Sequence, residues 1–158
     1  MSLSAEILCR IVGIETDTAD IAKNTRVTKA EYFRALSDGD GANQAQVIYS
    51  DARASAGTDT FQLSSLPDTR DGAAVTIAFT AVKAMYVRNT HATNSLTLSA
   101  SASPFASQIV VVPQGVVLVA NPSNTGALSF IGAAVTHFIT APVGTTYEIV
   151  IVGEGSIT

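Results

Sequence analysis

The side chains that could support catalysis or metal binding are few and far apart in this chain of 158 residues. The two histidines, His91 and His137, are distant in sequence, and neither has a second ligand at the spacing of a zinc site. His91 sits in a polar turn, which favours an exposed ring, whereas Phe138 beside His137 favours a packed or interface position. Cys9 is the single cysteine, and only Arg10 beside it is polar, so it is a poor candidate nucleophile.

Two pairs of aspartates are the remaining candidates for site chemistry. Asp38 and Asp40 alternate with glycines as at the start of a calcium loop, but the third acid and the distant bidentate Glu are missing. Asp-Gly pairs favour a tight reversal there. Asp68 and Asp71 flank Arg70, which is typical of a solvated turn. There is no Gly-x-Ser-x-Gly elbow and no phosphate-binding glycine loop. We therefore expect no catalytic, cofactor-binding or metal-binding residue and no enzymatic activity; the sequence does not identify the partner-binding residues.

Charged residues are scarce and unevenly distributed. They make up 14% of the chain, against about 25% in an ordinary soluble domain. Arg88 is the last basic residue, and the only acids after it are Glu148 and Glu154. Either the C-terminal half is mostly core, or much of its outer surface is covered by other chains, and the sequence favours the second interpretation. The net charge of −4 with no basic cluster predicts that nucleic acid is not a partner.

Cysteine usage and hydropathy bear on the compartment. Cys9 lies among Ile7, Leu8 and Ile11, which predicts a small buried thiol, and a single cysteine cannot form an intramolecular disulfide. The start of the chain, MSLSAEILCR, lacks a basic region followed by a long apolar run, so we expect no secretory signal. The apolar stretches are too short to span a bilayer, and we expect no membrane partner.

The pattern that would position any site is that of an all-β protein. Residues 75–99 predict two or three strands around a polar turn that runs from Asn89 to Asn94. After that turn, Leu96 and Leu98 alternate with Ser and Thr, as in a strand with one buried face. In the same way, Ala45, Val47 and Tyr49 share one face of a strand. The further strands are predicted at residues 3–14, 27–36, 44–53, 59–64, 109–112, 115–120, 128–131, 134–140 and 145–152.

Turn formers and prolines separate these segments. Residues 15–26 and 66–72 are predicted to be loops. Prolines cannot donate in a sheet ladder, so they mark strand ends at Pro104, Pro113, Pro122 and Pro142. No segment predicts a helix longer than one or two turns. We therefore expect an antiparallel β-sandwich of about eight to ten short strands. Residues 1–26 would be an N-terminal strand or arm followed by a loop, and residues 27–158 a single domain.

Three segments share residues with one family of proteins. The first segment contributes Gly39, Ala42, Asn43, Gln44, Ala45, Asp51, Arg53, Leu63, Leu66 and Asp68. The second contributes Val82, Lys83, Val87, Arg88, Asn89, Thr93, Leu96, Thr97 and Leu98. The third is the ending VGTTYEIVIVG, residues 143–153. In these residues the chain resembles small structural proteins that are encoded beside capsid genes in tailed bacteriophages. It departs from them at residues 132–137, which are uncharged where relatives often carry an acidic turn.

The resemblance implies a virion protein made in the host cytoplasm and located on the capsid surface. It implies a jelly-roll-like sandwich that decorates and cements the head shell by binding the major capsid protein. It also implies a homotrimer, whose closed symmetry would bury apolar surface without open-ended growth. Residues 1–26 are free to act as an arm that reaches a neighbouring subunit. The alternatives are a tail or baseplate module of the same virion and a glycan- or receptor-binding β-sandwich.

Overall fold

The computed structural model describes residues 2–17, 24–70, 73–100, 108–122 and 136–158, and these residues form strands and turns with no helix. The twelve strands in these ranges are β1 (Ala5–Asp17), β2 (Asn24–Asp38), β3 (Gln44–Ala45), β4 (Val47–Ala54), β5 (Thr58–Gln62), β6 (Leu66–Arg70), β7 (Ala73–Asn89), β8 (Leu96–Ala100), β9 (Ile109–Val111), β10 (Val116–Ala120), β11 (Thr136–Thr140) and β12 (Thr146–Ile157). The all-β prediction is confirmed, although the strands are more numerous than the eight to ten expected and several are long.

Two antiparallel sheets pack face to face as a β-sandwich. One sheet has the order β10-β7-β12-β4, with β6 paired to the remaining length of β7, and the other has the order β5-β11-β8-β9. Apart from the hairpin β8–β9 and the edge strand β6, successive strands from β4 to β12 alternate between the two sheets. Most strands of one sheet are therefore followed in the chain by a strand of the other sheet. Neither sheet can reach its strand order unless the other forms as well.

The core lies between the two sheets and is built from alternating inward positions. Its buried members come from both layers and are Val47, Tyr49, Phe61, Leu63, Leu66, Ile77, Phe79, Val82, Met85, Val87, Leu96, Leu98, Val111, Ile139, Ala141, Tyr147, Ile149 and Ile151. The predicted inward faces of β4 (Val47, Tyr49) and of β8 (Leu96, Leu98) are confirmed, whereas Ala45 is buried in a different cluster, with Ile7 and Leu36. Burial of an aliphatic or aromatic side chain contributes about 1.5–3 kcal/mol, so this core is the main stabilising feature of the fold.

Residues 75–99 form two strands around the polar turn, as predicted, and the first of them, β7, is long. β7 is 17 residues long and pairs with β12 along one side and with β6 and β10 in succession along the other. The predicted turn after Asn89 is confirmed. Asn89 is fully buried, and its Nδ2 donates to the carbonyl oxygens of Asn94, Val111 and Val112 at 2.7–3.1 Å. Its Oδ1 accepts from the backbone N–H of His91 at 3.0 Å. One side chain therefore joins the turn after β7 to the turn after β9.

The pairing of β12 with β7 shifts register at two bulges, after Val152 and after Glu154. Gly153 lies at the first bulge, where a Cβ would be 2.0 Å from the carbonyl oxygen of Ala81. Only glycine allows the two backbones to approach so closely.

The N-terminal part of the chain forms a long hairpin outside the sandwich. β1 pairs antiparallel with β2, from Ala5 opposite Leu36 to Asp17 opposite Asn24. At the base of this hairpin, Ile7 and Leu36 are buried with Ala84 and Val152, which lie on the outer face of the larger sheet. The hairpin is thus attached to the sandwich at one end only.

The structure corrects two predicted loops. Residues 15–26 are not a loop throughout, since β1 continues to Asp17 and β2 begins at Asn24; residues 18–23 lie outside the described residues. The boundary expected at residue 26 falls inside β2. Residues 66–70 form β6, which pairs only with β7. Pro67 is tolerated there because an edge strand does not need every backbone donor. The strand predicted at 128–131 and the strand end at Pro104 lie outside the described residues, whereas Pro113, Pro122 and Pro142 follow strands as predicted.

Candidate interaction surface

The side chains of a polar cluster near a cleft are hydrogen-bonded to one another within the fold. Asp51 accepts hydrogen bonds from the Tyr49 hydroxyl at 3.0 Å and from Arg53 Nε at 2.6 Å. The Arg53 guanidinium also lies over the Phe61 ring, 4.9 Å from its centroid. Burial, and then the Asp51 carboxylate, raises the pKa of Tyr49 to about 12. At neutral pH this hydroxyl therefore remains a hydrogen-bond donor and does not act as a base.

A second buried pair joins the two sheets. The Tyr147 hydroxyl on β12 donates to Asp59 on β5 at 2.7 Å. Burial, together with this hydrogen bond, raises the pKa of Tyr147 well above its usual value. The pair satisfies two polar groups that the sandwich would otherwise bury without partners. Its role is structural.

The two histidines lie in different environments. The His91 ring is partly buried and not freely exposed as expected, because its Nδ1 accepts from the backbone N–H groups of Thr93 and Asn94 at 3.2 and 3.0 Å. His137 is buried on β11 opposite Phe61, which confirms the packed position, and burial lowers its pKa to about 4. The described ranges contain no group of three or more potential metal ligands around either ring.

Asp68 lies on β6, partly buried, and lines a cleft of about 500 Å³ with Tyr49, Asp51 and Thr76. Asp71 lies outside the described residues, so the predicted solvated turn in which Asp68 and Asp71 flank Arg70 stays a prediction for Asp71. The tight reversal predicted at Asp38 and Asp40 was wrong: residues 39–43 form bends and a turn, but β2 and β3 on either side of them pair in parallel.

Cys9 is exposed, so the prediction of a buried thiol was wrong. Apolar neighbours usually indicate burial, but here they lie on a two-stranded ribbon with no third layer over most of its length. Ile7 is buried at the base of the hairpin, whereas Leu8 and Ile11, on either side of Cys9, are 60% and 68% exposed.

The large exposed apolar side chains are concentrated on this hairpin. Seven of the eleven that the structure describes belong to it: Leu8, Ile11, Val12, Ile14, Val27, Tyr32 and Phe33. The other four are scattered: Val110, Val112, Val116 and Val143. Such a concentration of exposed apolar side chains is uncommon on a monomer and indicates an interaction site.

The strand register divides the hairpin side chains between two faces. Residues opposite each other in an antiparallel pair share a face, so the face that carries Ile7 and Leu36 is the one directed at the sandwich. The opposite face begins with Glu6 and Ala35 near the base. Its middle part, which we call the outward face, carries Leu8, Arg10, Val12 and Ile14 on β1 and Val27, Lys29, Glu31 and Phe33 on β2. Between the hairpin and the larger sheet lies an apolar cleft of about 430 Å³, lined in part by Ile7, Cys9, Tyr86 and Leu118.

Sequence reasoning missed this surface and two buried polar groups. The apolar residues Ile7, Leu8 and Ile11 suggested that the strand around Cys9 is buried, and nothing in the sequence signals the missing layers. Asn89 and Lys83 are completely buried, and Lys83 Nζ lies 2.7 Å from Glu154 Oε1. Their only signal was that both lie in the segment on which the resemblance depends.

Comparison with known proteins adds no relative, since no family model, no curated protein and no solved structure matches the chain. Within the described ranges there is also no helix of the length and hydropathy needed to cross a membrane.

Proposed function

We propose that this chain is a structural protein of a tailed-bacteriophage virion, which decorates and cements the head shell as a homo-oligomer and is not an enzyme. The observation that carries the proposal is the strand order of the sandwich. The sheets β10-β7-β12-β4 and β5-β11-β8-β9 contain eight main strands, whose connections alternate between layers as in a jelly roll. Viral capsid proteins are among the proteins that use this architecture.

The surface of the chain supports the same role. Fold alone does not determine function, but the polar groups described above bond to one another within the fold, and the large apolar patch lies on a hairpin that extends from the sandwich. This arrangement is typical of a protein that functions by binding other protein chains. The major capsid protein and further copies of the chain are the proposed partners, on the capsid surface of particles assembled in the host cytoplasm.

Cementing would work through several weak contacts made at once. Each copy in a homo-oligomer contributes one contact with the shell, and simultaneous engagement raises the overall affinity by orders of magnitude without any new contact. The net charge of −4 does not favour nucleic acid as the partner. The homotrimer implied by the resemblance stays a prediction.

Binding to capsids tests the proposal. Purified protein is mixed with expanded phage heads that lack it, or with isolated tails, and the bound fraction is measured by sedimentation. We expect saturable binding to heads and increased resistance of the heads to heat. Binding to tails alone would favour the tail or baseplate module, and binding to neither would refute a virion role.

The second candidate function is glycan or receptor binding, because lectins share the jelly roll and the cleft of about 500 Å³ presents the carboxylates of Asp51 and Asp68 beside Tyr49. A glycan array tests it. Specific signals that disappear on Asp68→Asn would favour this function over the first.

A further inference from the structure

We propose that the outward face of the β1–β2 hairpin packs against the same face of a second copy of this chain around a twofold axis. The inference rests on the self-association in the proposed function and adds the surface and its geometry, with a twofold dimer in place of the homotrimer that the resemblance implies. It is tested with the purified protein alone, so its failure can be told apart from a failure to bind capsids.

In a single copy, too little of the hairpin packs against another layer to stabilise it. A two-stranded ribbon is marginally stable in water unless it packs against another layer. Among the described side chains of the hairpin, Ile7 and Leu36 at the base are buried, while Ile14 and Val27 on the outward face are 70% and 62% exposed. β1 is also the edge of its sheet, whose order is β1-β2-β3. A partner that covers the outward face would supply the missing layer.

The area available matches what a stable dimer needs. The outward face carries eight side chains, each about half exposed, and these present on the order of 100 Å² apiece. If all were covered, each copy would contribute on the order of 800 Å², the contribution per partner of a standard interface. Five of the eight are apolar, close to the apolar share of homodimer interfaces.

The order of side chains along the outward face is self-complementary. The register places them in four rows, which are Leu8 with Phe33, Arg10 with Glu31, Val12 with Lys29, and Ile14 with Val27. A twofold axis that lies across the strands at the centre of the face reverses this order in the second copy. The two apolar end rows then meet each other, and the two mixed rows in the middle meet each other.

This arrangement pairs opposite charges between copies. Glu31 of one copy faces Lys29 of the other, and the twofold axis repeats the contact. Within one copy, Lys29 Nζ lies 2.7 Å and Arg10 Nε 3.7 Å from Glu31 Oε2, and these side chains are at least one-third exposed. They are therefore available to a second chain, and burial between two copies would strengthen the attraction.

Charge also favours a second copy over nucleic acid or an anionic membrane. Residues 3–36 contain five basic and five acidic residues, so the whole net charge of −4 belongs to the rest of the chain. A phosphate-rich partner would require a basic excess on this face. Two neutral hairpins meet without net repulsion.

The test is the oligomeric state of the full chain, measured by analytical ultracentrifugation over a range of concentrations. Phe33→Thr removes an apolar contact, and Glu31→Lys places like charges against each other. The double variant Lys29→Glu with Glu31→Lys exchanges the two charges and restores attraction. Val143→Thr is the matched control, because Val143 is 78% exposed and lies far from the hairpin in sequence.

We expect the unmodified chain to form a dimer whose dissociation constant rises at least about tenfold with Phe33→Thr and with Glu31→Lys. The charge-exchanged variant should regain most of the affinity, and Val143→Thr should leave it unchanged. Circular dichroism of each variant checks that the sandwich is folded, which is expected because all the substituted side chains are exposed. A monomer, a trimer, or a dimer that is indifferent to Phe33→Thr and Glu31→Lys would overturn the inference.

Discussion

His137 should make the sandwich sensitive to acid. The ring is buried on β11, opposite Phe61 of β5, and its Nε2 has no hydrogen-bond partner among the residues that the structure describes. Burial disfavours the charged imidazolium, which lowers the pKa from 6.5 to about 4 in the folded chain. Protonation must therefore destabilise the folded state.

The sign and size of the effect follow from the two pKa values of His137. The unfolded chain binds a proton near pH 6.5, whereas the folded chain binds it only near pH 4. The contribution of neutral His137 to the free energy of unfolding is fully present above pH 6.5. It is lost progressively as the pH falls from 6.5 to 4, and it does not change further below pH 4. At 1.36 kcal/mol per pKa unit, the loss is about 3 kcal/mol, a large fraction of the stability of an ordinary domain.

Urea unfolding at a series of pH values from 8 to 4 measures this loss, followed by circular dichroism. Carboxylates also contribute to acid denaturation, so the informative quantity is the difference between the parent chain and His137→Asn. We expect that difference in the free energy of unfolding to change by about 3 kcal/mol between pH 7 and pH 4. His91→Asn is the control. Because this variant keeps His137, its free energy of unfolding should fall between pH 7 and pH 4 as that of the parent chain does. Parallel pH profiles for the parent and His137→Asn would refute the reasoning.

Three further substitutions test other features of the fold by urea unfolding. Asn89→Ala removes a side chain that bonds three carbonyl groups and one N–H, and it should cost about 3 kcal/mol; a loss below about 1 kcal/mol would contradict its role as a link between two turns. Lys83→Met leaves the largely buried carboxylate of Glu154 without its cation and should lower the free energy of unfolding by about 3–5 kcal/mol. Adding Glu154→Gln should recover most of this loss, and strictly additive losses would show that the two groups are not coupled. Gly153→Ala forces a Cβ to 2.0 Å from a backbone oxygen and should cost at least about 3 kcal/mol, whereas Gly13→Ala, with no atom within 4 Å, should change stability by less than about 0.5 kcal/mol; equal effects at the two positions would contradict the bulge geometry.

The sequence was informative wherever one face of a strand is buried. Leu96 and Leu98 alternate with small polar residues, and Val47 and Tyr49 are likewise buried at alternate positions of β4, because a sandwich strand has one buried face and one exposed face. That alternation fixed both the all-β class and the direction of individual side chains. The turn after Asn89 was predictable because polar residues interrupt the alternation.

Local patterns failed where pairing depended on distant residues. β6 contains Pro67 and Asp68, which are typical of a loop, and it forms a strand only because β7 extends far enough to offer it a free edge. The burial of Lys83 depends on the position of Glu154 on β12, which is remote in the chain. Neither relationship leaves a local signal, since each is a property of the assembled sheet.

The scarcity of charge after Arg88 predicts a surface covered by other chains, and this stays a prediction, although the described residues of this half contribute part of the core. Those residues supply inward positions of β8, β9, β11 and β12, and only four large apolar side chains among them are strongly exposed. The apolar surface that needs a cover lies on the N-terminal hairpin, where basic and acidic residues are common. Charge on this ribbon keeps a lone copy soluble, while its alternation with Leu, Ile and Val allows the same face to be buried once a complementary face is present. A search for association surfaces should therefore look for apolar residues that the fold leaves without a facing layer, since low charge density alone also describes a well-filled core.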